Sequence, residues 1–472
     1  MITGPALFLI LYFLLGSSGL PLNSITVLSL GAWMVVWWVT EAVPIPVTAL
    51  LPMVLFPLLS VSSVREASEP YGDPVIFLFM GGFILALGLE KYKLHERVAL
   101  NLIRLTGTSG DGIILGFMLA TALISMWISN TATAVMMLPI ASSVTTLLAK
   151  EMGQKDDPKF QKFATGLMLA VAYSASIGGI ATIIGTPPNV VLVGFMKRFY
   201  NLDVIFSNWM FVGIPLMIAL LASCYIIITK ILYRNNLSAI EGSDQLIHNK
   251  LHNLGKMSRE EKIVLMIFSV TCFFWIFRQN VNALIGKNLL DDTTIAMTGG
   301  IIMFIMPVNL RKSKFVLEWS DMKNLPWGIL LLFGGGLCLA QGMEDAGLVQ
   351  IVGEKIAQQG PINLPALTLL LTFISMALTE VMSNVALTTI FIPVVFGIAD
   401  GFQISPILLA MPVAFAASCA FMMPVSTPPN AILFASGYIK VKEMLKAGIL
   451  LNLFSLVIIF IISMTIMKWV YT

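Results

Sequence analysis

The sequence predicts an all-α polytopic membrane protein, with about 11 transmembrane helices, two re-entrant helical hairpins and two broken helices arranged as inverted repeats. Three observations carry that prediction. Of 472 residues, 57% are hydrophobic and only 11% charged, against the roughly 25% charge of a soluble domain, so the chain lacks the polar groups to cover a water-facing surface. Long apolar runs recur along its whole length without the period-two alternation of a membrane β-barrel. Polar interruptions fall in the middle of some of these runs and recur at a fixed offset.

Composition also narrows the function classes. The 28 Lys and Arg against 25 Asp and Glu give a net charge of +3, with no clustered basic face for a nucleic-acid partner. Cys224, Cys272, Cys338 and Cys419 lie far apart in apolar context and form no CxxC pair, so they read as small buried hydrophobes rather than as a disulfide framework or zinc site. No Lys or Arg precedes Arg65. The basic start of a cleaved signal peptide is therefore missing, and residues 4–20 read as a retained first span.

At about 20 residues per crossing of a roughly 30 Å hydrocarbon core, the apolar runs give spans at 4–20, 24–40, 44–60, 74–90, 163–200, 207–233, 261–278, 292–310, 326–343, 405–439 and 445–468. Two further stretches, 112–149 and 364–399, are interrupted at Ser129-Asn130-Thr131 and Ser383-Asn384. The polar segment 234–259 reads as a solvated cytoplasmic linker. Its His248 and His252 have the spacing of a metal pair on a helix, but no third ligand accompanies them. The basic loops 91–104, 230–259, 311–323 and 440–446 should be cytoplasmic. They all fall there if the N-terminus is inside and each interrupted stretch enters and leaves by one face, which places the C-terminus outside. Lys197, Arg198, Arg278 and Lys287 are then an external minority.

The repeat is legible directly. Leu78-Phe79-Met80-Gly81-Gly82 returns as Leu332-Phe333-Gly334-Gly335-Gly336, an offset of 254 residues. Ser129-Asn130 and Ser383-Asn384 share that offset. Gly185-Thr186-Pro187-Pro188-Asn189 and Ser426-Thr427-Pro428-Pro429-Asn430 repeat at 241. Matching elements are five crossings apart, and an odd number inverts the second half relative to the first. Inverted repeats with interrupted helices at matching positions mark secondary transporters, with the site at the midplane.

The interruptions have their own chemistry. Each Ser-Asn can cap the helix that follows, turn between two full crossings, or form the tip of a hairpin that enters and returns. A capped helix N-terminus still offers N–H groups and a positive dipole end to an anion. Paired prolines remove two backbone donors and push the preceding Thr186 or Thr427 out of helical geometry, which leaves carbonyls near Gly185 and Ser426 for a cation such as sodium. No basic residue accompanies these motifs, so an anion must be held by Asn and Thr side chains, N–H groups and helix ends. Two carboxylates lie in apolar sequence. Glu380 can bring a charge to the second tip, and Glu41 serves equally as a functional group or as the polar end of its span.

At WWVTEAVPIPVTALLP (37–52), ISNTATAVMMLPIA (128–141), GTPPN (185–189), TEVMSNVALTTIFIPV (379–394) and MMPVSTPPNAILFASG (422–437), the sequence resembles the divalent anion/sodium symporter family of di- and tricarboxylate carriers, over nearly the whole chain. The resemblance implies a homodimer in which a transport domain slides as an elevator against a scaffold. Residues 1–110 and 260–345 would form the scaffold, and 111–233 and 346–472 the transport parts. Substrate would meet Asn130, Thr131, Thr186, Pro187, Asn384, Val385, Thr427 and Pro428. One sodium would sit near Ser125, Ser129, Asn130 and Gly185, the other near Thr379, Met382, Asn384 and Ser426, and no other cofactor is implied. Val385 stands where the family has Thr. A lost hydroxyl leaves a substrate carboxylate short of a hydrogen bond worth on the order of 1–3 kcal/mol, which tilts the expectation from sodium symport toward exchange of one dicarboxylate for another. The alternatives are a membrane enzyme and an anion channel. Against the enzyme, there is no HExxH or GxSxG pattern and no histidine in an apolar span to serve as a general base.

Overall fold

A computed structural model describes residues 1–152, 157–237, 243–309, 314–357 and 363–471. In chain order its helices begin with α1 (Thr3–Leu15), α2 (Leu22–Thr40), α3 (Ile45–Thr48), α4 (Leu51–Leu58), α5 (Val64–Ser68), α6 (Pro74–Lys91) and α7 (Leu94–Leu105). Then come α8 (Gly110–Ser125), α9 (Asn130–Met152), α10 (Pro158–Gly179), α11 (Pro187–Tyr200), α12 (Phe206–Tyr225), α13 (Ser243–Leu254), α14 (Arg259–Ile285) and α15 (Asp292–Ile305). The rest are α16 (Trp327–Asp345), α17 (Leu348–Ala357), α18 (Leu364–Thr379), α19 (Asn384–Gly401), α20 (Pro406–Ala417), α21 (Pro428–Phe434), α22 (Val441–Ile462) and α23 (Lys468–Tyr471).

The repeat survives as structure. α18 begins and ends 254 residues after α8, α19 begins 254 after α9, and α21 begins 241 after α11. Each half ends in a helix that runs on into a π-helical turn, at Ile226–Leu232 and Ser463–Met467. The halves interlock: α21 packs on α9 and α10, while α11 packs on α19 and α20. At the centre, α10 is buried on every side from Phe163 to Gly179, and α20 from Ile407 to Ala417. Helices apolar all round belong in such a position.

Several elements depart from the sequence expectations. The span expected at 44–60 is two short helices, because Pro44, Pro46, Pro52 and Pro57 punctuate it and each removes a backbone donor. The helix expected at 261–278 continues to Ile285 past a kink at Phe277. The fold is not purely helical, since β1 (Pro307–Asn309) pairs antiparallel with β2 (Lys314–Phe315). The expected linker 234–259 contains α13, whose Ile247 is buried and which packs on α7 and α9. Within it, the His248 and His252 rings stack 6.5 Å apart. Residues 238–242 of that linker, like 311–313 of a basic loop, lie outside the described residues. Cys224, Cys338 and Cys419 are buried and Cys272 half-buried.

Ion pairs join distant elements in two sets. One set comprises Lys91–Asp321, Arg97–Glu261 and Lys230–Asp111. The other comprises Arg278 with Asp203 and Asp292, and Arg198 with Asp73 and Glu69. Tyr200 also donates to Asp400 at 2.9 Å.

Close packing fixes α6 on α15. A Cβ at Gly81 would lie 2.5 Å from the carbonyl carbon of Ala296, a backbone atom with nowhere to yield, and small residues at such crossings are what allow helices to approach. Gly81→Val should therefore destabilise the protein by about 1–3 kcal/mol, read as a lower Tm in detergent. Gly72→Ala, whose Cβ would meet nothing within 4 Å, should leave the Tm unchanged.

Candidate functional site

A cavity of about 620 Å³ lies between the α2–α3 turn and the interrupted helices, within the 300–1,000 Å³ range of small-molecule sites. The α8–α9 link contributes Ser129, Asn130 and Thr131, and the α18–α19 link Met382, Ser383, Asn384 and Val385. The two breaks bring Thr186, Pro187, Ser426, Thr427 and Pro428. Every residue expected at the substrate therefore reaches one space, from segments up to 298 residues apart. Of the cation candidates, Ser125, Gly185 and Thr379 do not line the cavity but stand behind it.

The breaks form as the prolines require. Thr186 and Thr427 are extended, at φ −145° and −140°, and the prolines that follow start α11 and α21 at the first helical position, where a missing N–H matters least. The expectation of free carbonyls is only partly met. Asn189 Nδ2 donates to the carbonyls of Gly179 and Thr182 at 3.0 and 2.7 Å, and Asn430 Nδ2 to those of Ala420 and Met423, both at 3.1 Å. These two asparagines sat inside the recognised motifs with no role assigned. Their recurrence at the 241-residue offset was the available signal.

The tips are clasped in matching fashion. Ser125 Oγ lies 2.7 Å from Asn130 Oδ1 and 2.6 Å from the Ala175 carbonyl. Thr379 Oγ1 lies 2.8 Å from Asn384 Oδ1 and 2.6 Å from the Ala417 carbonyl. A hydroxyl carries one proton, so three oxygens share a single hydrogen at each tip and lone pairs are left facing one another. An oxygen-rich cluster of this kind suits a hard cation. At the first tip, Gly185 O also closes in: a Cβ on Gly179 would stand 2.6 Å from Asn130 Oδ1 and 3.0 Å from Gly185 O. The alanine carbonyls could not be foreseen, because any residue type presents a backbone oxygen.

The two tips differ in detail. Ser129 Oγ accepts from Ala132 N at 3.3 Å and so caps α9, whereas Ser383 makes no such cap for α19. Thr131 and Val385 are equivalent in the repeat, but Val385 turns an isopropyl group onto the apolar cluster around Trp38. One tip is polar towards the cavity and the other partly apolar.

Glu380 does not bring a charge to the tip as expected. Its buried carboxylate accepts from Phe421 N at 2.9 Å, Met422 N at 3.1 Å, Asn452 Nδ2 at 2.7 Å and Ser426 Oγ at 2.9 Å. It thus braces the second break; the Ser426 hydroxyl, expected at sodium, donates to the Glu380 carbonyl at 2.8 Å and to its carboxylate at 2.9 Å and keeps its lone pairs. A carboxylate in apolar surroundings is tolerated when fully hydrogen-bonded. Glu380→Ala should strand three donors, Phe421 N, Met422 N and Asn452 Nδ2, and lower stability by about 3–5 kcal/mol at roughly 1–3 kcal/mol for each unsatisfied buried group, seen as a large fall in Tm. Glu380→Gln, which keeps an accepting oxygen, should fall by less.

Comparison with known proteins identifies the family and the fold. The model of the sodium:sulfate symporter transmembrane region matches residues 2–472. The sodium-dependent dicarboxylate transporter SdcS of Staphylococcus saprophyticus is 40% identical over 98% of this chain and 90% of its own. Its counterpart in Staphylococcus aureus strain USA300 is 40% identical over 99% and 90%. Among solved structures, the Alcanivorax borkumensis YdaH transporter has the same fold at a TM-score of 0.58 and 13% identity, over 93% of this chain and 99% of its own. Neisseria gonorrhoeae MtrF matches at 0.55 and 12%, over 87% and 83%. The chain belongs to the sodium:sulfate symporter family, the divalent anion/sodium symporters that its motifs resemble, and is a membrane transporter rather than an enzyme.

Proposed function

We propose that the protein is a secondary carrier of dicarboxylates of the succinate, malate, fumarate and 2-oxoglutarate class, moved in symport with sodium. The observation that carries this reading is the single cavity on which both tips and both breaks converge, with a three-oxygen cluster behind each tip. The tips supply amide groups and helix N-termini to the two ends of a dianion, and sodium at the clusters offsets its charge where, among the described residues, no basic side chain lines the wall. Relatives named as sodium-dependent dicarboxylate transporters favour symport over the exchange toward which Val385 tilted the sequence reading.

The same reading takes α8–α9 and α18–α19 as re-entrant hairpins. The ion pairs support it, because each joins residues on one side under the orientation expected from the basic loops. Asp111 at the start of α8 meets Lys230 on the cytoplasmic side, and Asp400 at the end of α19 meets Tyr200 on the outer side. The N-terminus is then cytoplasmic and the C-terminus outside. Hairpins and broken helices form a transport domain that moves as an elevator past a scaffold of residues 1–110 and 260–345, α1–α7 and α14–α16, in a homodimer of the plasma membrane. The cavity between α2–α3 and the tips belongs to the state open to the cytoplasm.

In proteoliposomes the protein should take up labelled succinate or malate saturably and faster with sodium outside. Linear flux would indicate a channel, and stimulation by internal dicarboxylate alone would indicate exchange. Asn130→Ala and Asn384→Ala should each reduce uptake at least tenfold while leaving Tm nearly unchanged, and wild-type rates in either would mean that the tips only cap helices. Val385→Thr should lower KM for a dicarboxylate by about 5- to 150-fold if the new hydroxyl contributes a hydrogen bond of roughly 1–3 kcal/mol.

A further inference from the structure

Among the described residues that line the cavity, one carries a charge, and it is a carboxylate. Glu41 follows the last residue of α2 and lines the cavity that the tips also line. Its side chain is exposed to the cavity, and no hydrogen bond or ion pair with a described residue holds it. Its backbone is left-handed, at φ +46° and ψ +36°. Gly or Asn takes that conformation at a helix end with ease, whereas a side chain such as Glu is disfavoured there. Ser60, Lys93 and Gln403 share this backbone beside other helix ends, so the case for Glu41 rests on its place as the charged residue of the cavity lining and on its unpaired carboxylate.

We propose that Glu41 is a one-sided electrostatic gate that weakens the hold of the cavity on a dianion in this conformation and so sets the face at which substrate is released. The proposal rests on the carrier reading above. A fixed negative charge on the wall of a narrow cavity with low-dielectric sides repels a dicarboxylate and draws sodium in. Glu41 belongs to the α2–α3 side, and the groups that grip the substrate belong to the tips. Once the tips travel away from α2, the repulsion is left behind, so only one of the two substrate affinities feels it.

The test compares KM for succinate in right-side-out and inside-out membrane vesicles. Glu41→Gln should lower KM at the cytoplasmic face by about three- to tenfold, as expected for one partly screened charge, and change KM at the outer face by less than about twofold. Glu41→Asn removes the same charge and suits the left-handed backbone, so it should give the same one-sided shift even if Glu41→Gln fails to fold. Glu41→Asp should keep the wild-type values. An equal shift at both faces, or no shift in either neutral variant, would overturn the gate. If wild-type vesicles show no saturable succinate uptake at all, the carrier reading fails instead, which the same assay separates from failure of the gate.

Discussion

Backbone that leaves a helix in apolar surroundings must have its polar groups met by the protein, and one amide side chain at each break meets two of them. Asn189 and Asn430 each gather two carbonyls of the unwound segment before them. With the segment fixed, the prolines can start α11 and α21, Thr186 and Thr427 are turned to the cavity, and the last turns of α10 and α20 keep the Ala175 and Ala417 carbonyls in reach of the tip hydroxyls. Without that bridge the tips would lose the surface against which they are clasped.

The two halves reach the same arrangement by different means. In the first, glycines at 179 and 185 allow backbone and tip amide to crowd together. In the second, the equivalent positions are Ala420 and Ser426, and Glu380 supplies extra bonds to the break. The first cluster is held by close approach and the second by a charged brace, so the two differ in the field they present to an ion.

Most of the architecture was legible because it is written in side-chain types. Apolar runs, Ser-Asn tips and Thr-Pro-Pro-Asn breaks pointed to the interrupted helices and, through their repetition at 254 and 241 residues, to the convergence of segments hundreds of residues apart. Other features were not legible, for physical reasons. The direction in which the Glu380 carboxylate points depends on where Phe421 and Asn452 come to lie. The alanine carbonyls have no sequence signature. The split of 44–60 into α3 and α4 turns on four prolines within an otherwise convincing apolar run. Burial of one face of α13 in a polar segment depends on α7 lying beneath it.

The exchange of partners between the halves governs how the chain can be made. α9 ends at residue 152, but α21, on which it packs, begins at 428. At a synthesis rate of about 5–20 residues per second, the first hairpin waits roughly 15–55 s for that partner. Its Asn and Thr groups must be sheltered in the meantime by water at the membrane surface or by the insertion machinery. α8 and α9 also pack on α10 of their own half, so the first half can gather early, and it is the contact between the halves that waits for α21.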